Sequence, residues 1–225
     1  MNPNKPFVIT ISREIGSGGH TVGRILAEKM NTRYCDKDLV KALEKKFNLT
    51  AEKIEKIKLE KRHWLADFLS FVNPAPTAHS LGVNTDNLRE ITTGDIFKAE
   101  TEILKALAEE GSCIIAGRSG FHVLKNHPNH LRVFITASKP RRIQRVMKKQ
   151  ALSEHEATLL VEEIDKAREG YIKRYSGADR YDARNYDLTL NMDFLTEEKA
   201  AELILAYFQN TSDTTLSTAD GAPTV

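Results

Sequence analysis

Residues 7–30 read FVITISREIGSGGHTVGRILAEKM, and the order in which residue types change along this stretch decides the fold. The first six residues are β-branched and apolar enough to form a short strand. Arg13, Glu14 and Ile15 lead into Gly16, Ser17, Gly18, Gly19 and His20, a run too rich in glycine to continue either a strand or a helix. From Thr21 the apolar residues Val22, Ile25, Leu26 and Met30 recur at helical spacing. A strand that passes through a glycine turn directly into a helix brings several backbone N–H groups to one point, beside the positive end of the helix dipole. That arrangement binds a phosphate group, with Thr21 offering its hydroxyl to the phosphate or to Mg²⁺.

The loop departs from the usual G-x-x-x-x-G-K-S/T pattern. Glu14 stands in place of the first glycine and His20 in place of the lysine, so that only Gly19 and Thr21 match. A second register, matching Gly16 and Gly18 to a G-x-x-G-x-G-K loop, puts Gly19 at the lysine position. The lysine is missing in both registers, which leaves Arg13, Arg24 or a distant arginine to support the phosphates, or His20 if it is protonated.

Working outward, strands and helices alternate along the rest of the chain. Tyr34-Cys35 reads as a short strand and Asp36 as the N-cap of a helix carrying Leu39, Val40, Leu43 and Phe47. A charged helix starts near Asn48. Residues 62–92, with Trp64, Phe68 and Phe71 followed by Asn73-Pro-Ala-Pro, lack a sustained period and read as an inserted flap over a site or a homodimer surface. Thr93 caps the next helix, Cys113 to Ala116 form a buried strand closed by Gly117-Arg118-Ser119, and residues 131–136 form another strand that leads into a basic helix. Residues 150–185 read as a helical lid with a polar loop, residues 186–190 as the last strand and residues 196–208 as the last helix. The expected organisation is a domain over residues 1–210 and a disordered tail over 211–225. The fold class is α/β: a three-layer P-loop NTPase fold whose five-stranded sheet is mostly parallel, with ligands beyond the carboxyl ends of the strands.

Composition removes several alternatives. The 33 basic and 31 acidic side chains are interspersed and leave a formal charge of +2, so no overall field points to nucleic acid or to a membrane surface. No apolar stretch is long enough to span a bilayer, and no secretory leader opens the chain, so a cytoplasmic location is expected. Cys35 and Cys113 sit in apolar contexts and read as small buried hydrophobes. The histidines show no metal-ligand spacing.

Phosphoryl transfer needs little covalent chemistry from the protein and much positive charge converging on the transferred group. Arg118 follows a glycine at a strand end. Arg142 and Arg145 lie one helical turn apart after the next strand, and Arg168 and Arg174 precede a loop holding Arg180 and Arg184. As a set, residues 9–19, 34–38, 116–119, 134–138 with Arg142 and Arg145, 165–168 and 186–191 resemble the cytidylate kinase-like family, a branch of P-loop kinases, over roughly residues 7–208. The resemblance implies ATP and Mg²⁺ over Gly16 to Thr21, with Thr21 at the metal. It also implies an acceptor held by Asp36, Arg118, Asp165 and Arg168, and a lid that excludes water. Arg13, His20, Arg142, Arg145 and Arg168 are the candidate catalytic residues. Ser119 replaces the aspartate of the family's Gly-Arg-Asp, Lys37-Asp38-Leu39 replaces its Ser-Gly-Ala, and Val161 replaces an arginine before Asp-x-x-Arg. The leading function is ATP-dependent phosphoryl transfer to a small acceptor, a nucleoside monophosphate such as CMP among them. The rivals are a nucleotide-binding sensor or interaction module that lost turnover with the lysine, and a P-loop transferase acting on a non-nucleotide anion.

Overall fold

A computed structural model describes residues 1–50, 54 and 91–213. The strands β1 (Val8–Arg13), β2 (Arg33–Tyr34), β3 (Cys113–Ala116), β4 (His130–Thr136) and β5 (Leu188–Asn191) form one sheet in the order β2-β3-β1-β4-β5, and every pairing in it is parallel. Among the described residues the helices are α1 (Gly19–Lys29), α2 (Asp36–Phe47), α3 (Thr93–Glu109), α4 (Gly120–Val123), α5 (Lys139–Gln150), α6 (Glu154–Ser176) and α7 (Glu197–Asp213). The fold is the three-layer P-loop architecture.

Side-chain alternation along the strands builds the layers. Ile9 and Ile11 of β1, Ile114 of β3, and Leu131, Val133 and Ile135 of β4 share one face with Val22 and Leu26 of α1 and Ala200, Ile204 and Phe208 of α7. Val8, Cys113 and Ile115 point to the other face, against Leu39 and Leu43 of α2 and Ile96 and Leu104 of α3. Both cysteines are buried there and neither is in a disulfide. A third cluster joins Val146 of α5 to Ala157, Leu160, Val161 and Ile164 of α6, and Ile15 of the glycine loop packs against it. β1 is therefore the central strand, and its carboxyl end delivers the glycine loop to the middle of the sheet edge.

Several boundaries differ from the sequence reading. Asp36 is the first residue of α2 rather than its cap; Cys35 occupies the cap position and its side chain makes no capping bond. The cap of α3 is Thr92, one residue before the expected Thr93, because Thr92 and Asp95 close a reciprocal capping box. Asn48, expected to open a helix, ends α2 in a left-handed conformation. Helix α7 continues through Asp213, beyond the expected end at 208. Two short elements were not anticipated: α4 and a 3₁₀ turn at Ala183–Asn185. Most of the expected insertion, residues 62–90, and residues 214–225 of the tail lie outside the described residues.

Beside the sheet, His130 is held between the Thr10 hydroxyl, 2.8 Å from Nε2, and the Leu124 carbonyl, 2.9 Å from Nδ1. Burial pushes its pKa from 6.5 down to about 4, against the smaller opposing effect of the Leu124 carbonyl. The unfolded chain therefore takes up this proton near pH 6.5, while the folded chain refuses it until about pH 4. Stability conferred by the neutral imidazole is full above pH 6.5 and falls as the pH drops towards 4, by up to about 3 kcal/mol. Urea denaturation across this range should show a shallower pH dependence in His130→Gln than in the parent chain.

Candidate phosphoryl-transfer site

The loop leaves β1 at Arg13, and Glu14 donates its N–H to the Ile135 carbonyl of β4 at 3.2 Å. Ser17 turns back on the same residue, its hydroxyl donating to the Glu14 carbonyl at 2.9 Å. Gly16 at φ 79° and Gly18 at φ 91° occupy the left-handed region that side chains disfavour. Space gives a second reason for glycine at position 16, since a Cβ there would lie 2.6 Å from the Arg142 carbonyl oxygen. Because α1 begins at Gly19, the amides of its first turn have no acceptor within their own helix and form the donor set of an anion site. Thr21 lies in that turn. Among the described residues no group of three or more His, Cys, Asp or Glu side chains gathers as a metal site. Mg²⁺ commonly binds through one or two protein oxygens together with substrate phosphates, and such a mode fits a single Thr21 hydroxyl.

Arg142 and Asp165 hold this loop from behind. Arg142 Nη1 lies 2.5 Å from Asp165 Oδ2, and the same guanidinium donates to the carbonyls of Ala137 at 3.1 Å and Ile15 at 3.3 Å. Its Nη2 lies 3.4 Å from Glu14 Oε1. Asp165 Oδ1 accepts from the Ile15 N–H at 3.2 Å. Both side chains are buried, and their hydrogen bonds go to the loop and to each other. Arg145, one turn further along α5, pairs instead with Glu197 at the start of α7. Both ends of that pair lie against Gly18, within 3.4 Å of where its Cβ would be.

Across the crevice, Gly117, Arg118 and Ser119 take φ values of 74°, 57° and 56° in succession, so two non-glycine residues sit in the left-handed region at the end of β3. Each costs about 1–2 kcal/mol, a strain that accumulates at functional sites. Arg118 Nη1 lies 3.2 Å from Glu100 of α3, whose other oxygen accepts from Tyr171 of α6 at 2.9 Å. Arg168 reaches the Arg13 carbonyl at 3.5 Å, and Arg180 donates to the same carbonyl at 2.8 Å. The Arg13 side chain passes between the two rims: a Cβ on Gly19 would meet its Cβ at 2.6 Å, and one on Gly117 would meet its Nη1 at 1.7 Å. Burial lowers the Arg13 pKa, with Arg118 and Arg180 adding to the effect against Tyr34 and Asp36. An arginine nevertheless stays cationic.

His20, at the place of the missing lysine, turns its Nδ1 towards Tyr34 Oη at 2.9 Å and Asp36 at 3.5 Å. Burial pushes its pKa down, opposed by Asp36 and reinforced by Arg13, Lys149 and Arg24. At neutral pH it therefore does not supply the charge of a lysine. The structure thus brings Arg13, His20, Asp36, Arg118 and Arg168 to the crevice, puts Arg145 on its outer wall, and sets Arg142 and Asp165 beneath the loop. Glu100, Tyr171 and Glu197 also belong to this network and escaped the sequence reading, and Glu14, noted there only in place of a glycine, belongs to it too. Glu100 alone left a signal, as a charged residue on the apolar face of α3 beside Ile96 and Leu104.

The model of the cytidylate kinase-like family matches residues 8–194. A cytidylate kinase from Sulfolobus acidocaldarius is 25% identical over 201 residues, covering 88% of this chain and 91% of that protein. An uncharacterized protein from Eubacterium ventriosum, known from its crystal structure, superposes with a TM-score of 0.63 at 23% identity, over 90% of this chain and 98% of its own. Shikimate kinase from Acinetobacter baumannii in complex with shikimate gives 0.52 at 16% identity, over 94% and 97%. At these identities the two structures speak for the fold alone.

The clamp and the outer pair should respond differently to loss of one carboxylate charge. Asp165→Asn leaves the buried Arg142 without its full partner and should lower the unfolding free energy by about 3 kcal/mol. Glu197→Gln, at a pair whose arginine is 38% exposed, should cost under about 1 kcal/mol. Chemical denaturation of the two variants side by side checks the contrast.

Proposed function

Because the chain belongs to the cytidylate kinase-like family, we propose that it transfers the terminal phosphoryl group of ATP to a small acceptor, with nucleoside monophosphates such as CMP the first class to test. The observation that carries this reading is the opposition of two features at the carboxyl ends of adjacent strands. The glycine loop with the N-terminus of α1 stands at β1, and the strained Gly117-Arg118-Ser119 turn stands at β3. An anionic donor on one rim and an anionic acceptor on the other face each other across Arg13.

In this mechanism the amides of Gly16 to Thr21 would hold the donor phosphates, and the Thr21 hydroxyl would be the protein's ligand to Mg²⁺, which would offset phosphate charge. Mg-ATP supplies the phosphoryl group and the leaving ADP. Arg145 lines the outer wall beside Gly18, and Arg13 supplies the positive charge that the loop lacks at His20. Arg118 and Arg168 hold the acceptor, Asp36 orients it, and His20 links the donor loop to Asp36 and Tyr34. Arg142 and Asp165 act through the loop, fixing its shape before any ligand arrives. Such fixed donors stabilise developing charge without reorganising during the reaction. Closure of the α5–α6 arm would exclude water.

The neutral character of His20 favours a second reading, a nucleotide-binding sensor with little turnover. ADP release measured with Mg-ATP and a panel of nucleoside monophosphates and small phosphorylatable metabolites, run beside calorimetric ATP binding, separates the two. Turnover with one acceptor identifies a kinase, tight ATP binding without turnover identifies the sensor, and absence of ATP binding overturns both. Arg118→Ala should lower acceptor kcat/KM by about 10- to 100-fold and leave ATP affinity close to that of the parent chain. Equal loss of both would remove Arg118 from the acceptor site.

A further inference from the structure

We propose that Arg13 and Arg180 form an oxyanion site at the carboxyl end of β1, which takes a phosphoryl dianion between the glycine loop and the Gly117 turn. This rests on the kinase reading and deepens it, adding Arg180 from the loop after α6 to the residues that contact the reacting groups.

Arg180 is 2% exposed, yet its donors meet only main-chain oxygens: Nη2 meets the Arg13 carbonyl at 2.8 Å and Nη1 the Asp165 carbonyl at 3.5 Å. Its Nε is buried without a partner, and the Tyr181 ring lies 5.1 Å from the guanidinium carbon. Tyr186 donates its hydroxyl to the Arg180 carbonyl at 2.7 Å and so fixes the residue from its other side. Among the described residues, the Arg13 guanidinium has neither a hydrogen bond nor an ion pair, although it lies against Gly117 with Arg118 and Arg180 as cationic neighbours.

Four carboxylates around the site are already engaged, and Glu169, near Tyr181, is exposed to water. Asp165 holds Arg142 and the Ile15 N–H. Glu14 takes Arg142 and the Thr136 hydroxyl, and Glu100 takes Arg118 and Tyr171. Asp36 faces His20 at 3.5 Å. At the end of β3 the Ser119 hydroxyl is a second buried polar group without a partner. Withdrawing the Arg180 cation from water without an anion is unfavourable, and its buried Nε left unbonded adds to that. A dianion with three or more acceptor oxygens relieves both, and the planar guanidinium fork suits it better than an ammonium does. The terminal phosphoryl of the donor and an oxyanion carried by the acceptor share this chemistry, and Arg13 lies where either would pass.

Calorimetry on the full chain with ATP, ADP and inorganic phosphate, the last in the presence of Mg-ADP, tests the site in the parent, Arg180→Met and Arg180→Lys. Thermal denaturation confirms that each is folded. The expected result is a loss of at least about tenfold in phosphate or ATP affinity in Arg180→Met, a change of about 1.4 kcal/mol, with partial recovery in Arg180→Lys and unchanged ADP affinity. If the site holds the donor's terminal phosphoryl, ATP weakens; if it holds the acceptor's anion, only inorganic phosphate weakens. Unchanged affinity for all three probes overturns the site, as does an equal loss of ADP, which would mean that the whole glycine loop had been damaged. Should Arg180→Met fail to fold, Arg180→Lys against the parent carries the same comparison. A parent chain that binds neither ATP nor ADP overturns the kinase reading itself.

Discussion

The buried bond between Arg142 and Asp165 is the constraint on which the site depends. Each partner also holds a main-chain atom of Ile15, one its carbonyl and the other its N–H, so the peptide groups on both sides of that residue are pinned. Glu14 takes the second arm of the guanidinium, and the Ile15 side chain seats itself in the α5–α6 cluster. The glycines give the loop permission to bend, but permission is not a shape. Shape comes from this arginine and its partners. Donors fixed in advance need not reorganise when charge develops, which is where most of the electrostatic advantage of an enzyme site comes from.

The distribution of charge follows the same logic. The chain as a whole is nearly neutral at +2, yet arginines gather at the carboxyl ends of β1 and β3, with carboxylates set among them as struts. Arg118 is braced by Glu100, Arg142 by Asp165 and Glu14, and Arg145 by Glu197. A low-dielectric cleft of this kind focuses its field on a small volume, so a locally cationic crevice coexists with an unremarkable surface. At the lysine position, partial burial disfavours protonation of His20 against the opposing pull of Asp36, and the cations around it add to the effect; its ring is turned towards Tyr34 and Asp36.

What the sequence revealed follows from how local each signal is. The strand, glycine loop and helix of residues 7–30 were legible because periodicity and glycine content are properties of neighbours in the chain. Arg118 was legible because it follows a glycine at the end of a buried strand. The roles of Arg142 and Asp165 were not, since each looks like a ligand group until its partner twenty-three residues away is seen. Arg180 had the opposite fate: in sequence it is one charge in a polar loop, and only the folding of that loop beneath Tyr186 buries it. Thr92 was displaced from notice by Thr93 because either fits a cap, and the decision lay with Asp95.

The passage of Arg13 between Gly19 and Gly117 has a mechanical consequence. The side chain fills the gap between the donor rim and the acceptor turn so closely that neither glycine has room for a methyl group on its side of it. The two rims are therefore bridged by one arginine side chain, its Cβ against the donor rim and its guanidinium against the acceptor turn. Closure over this crevice would therefore move other elements against these two rims, as a jaw works against a fixed anvil.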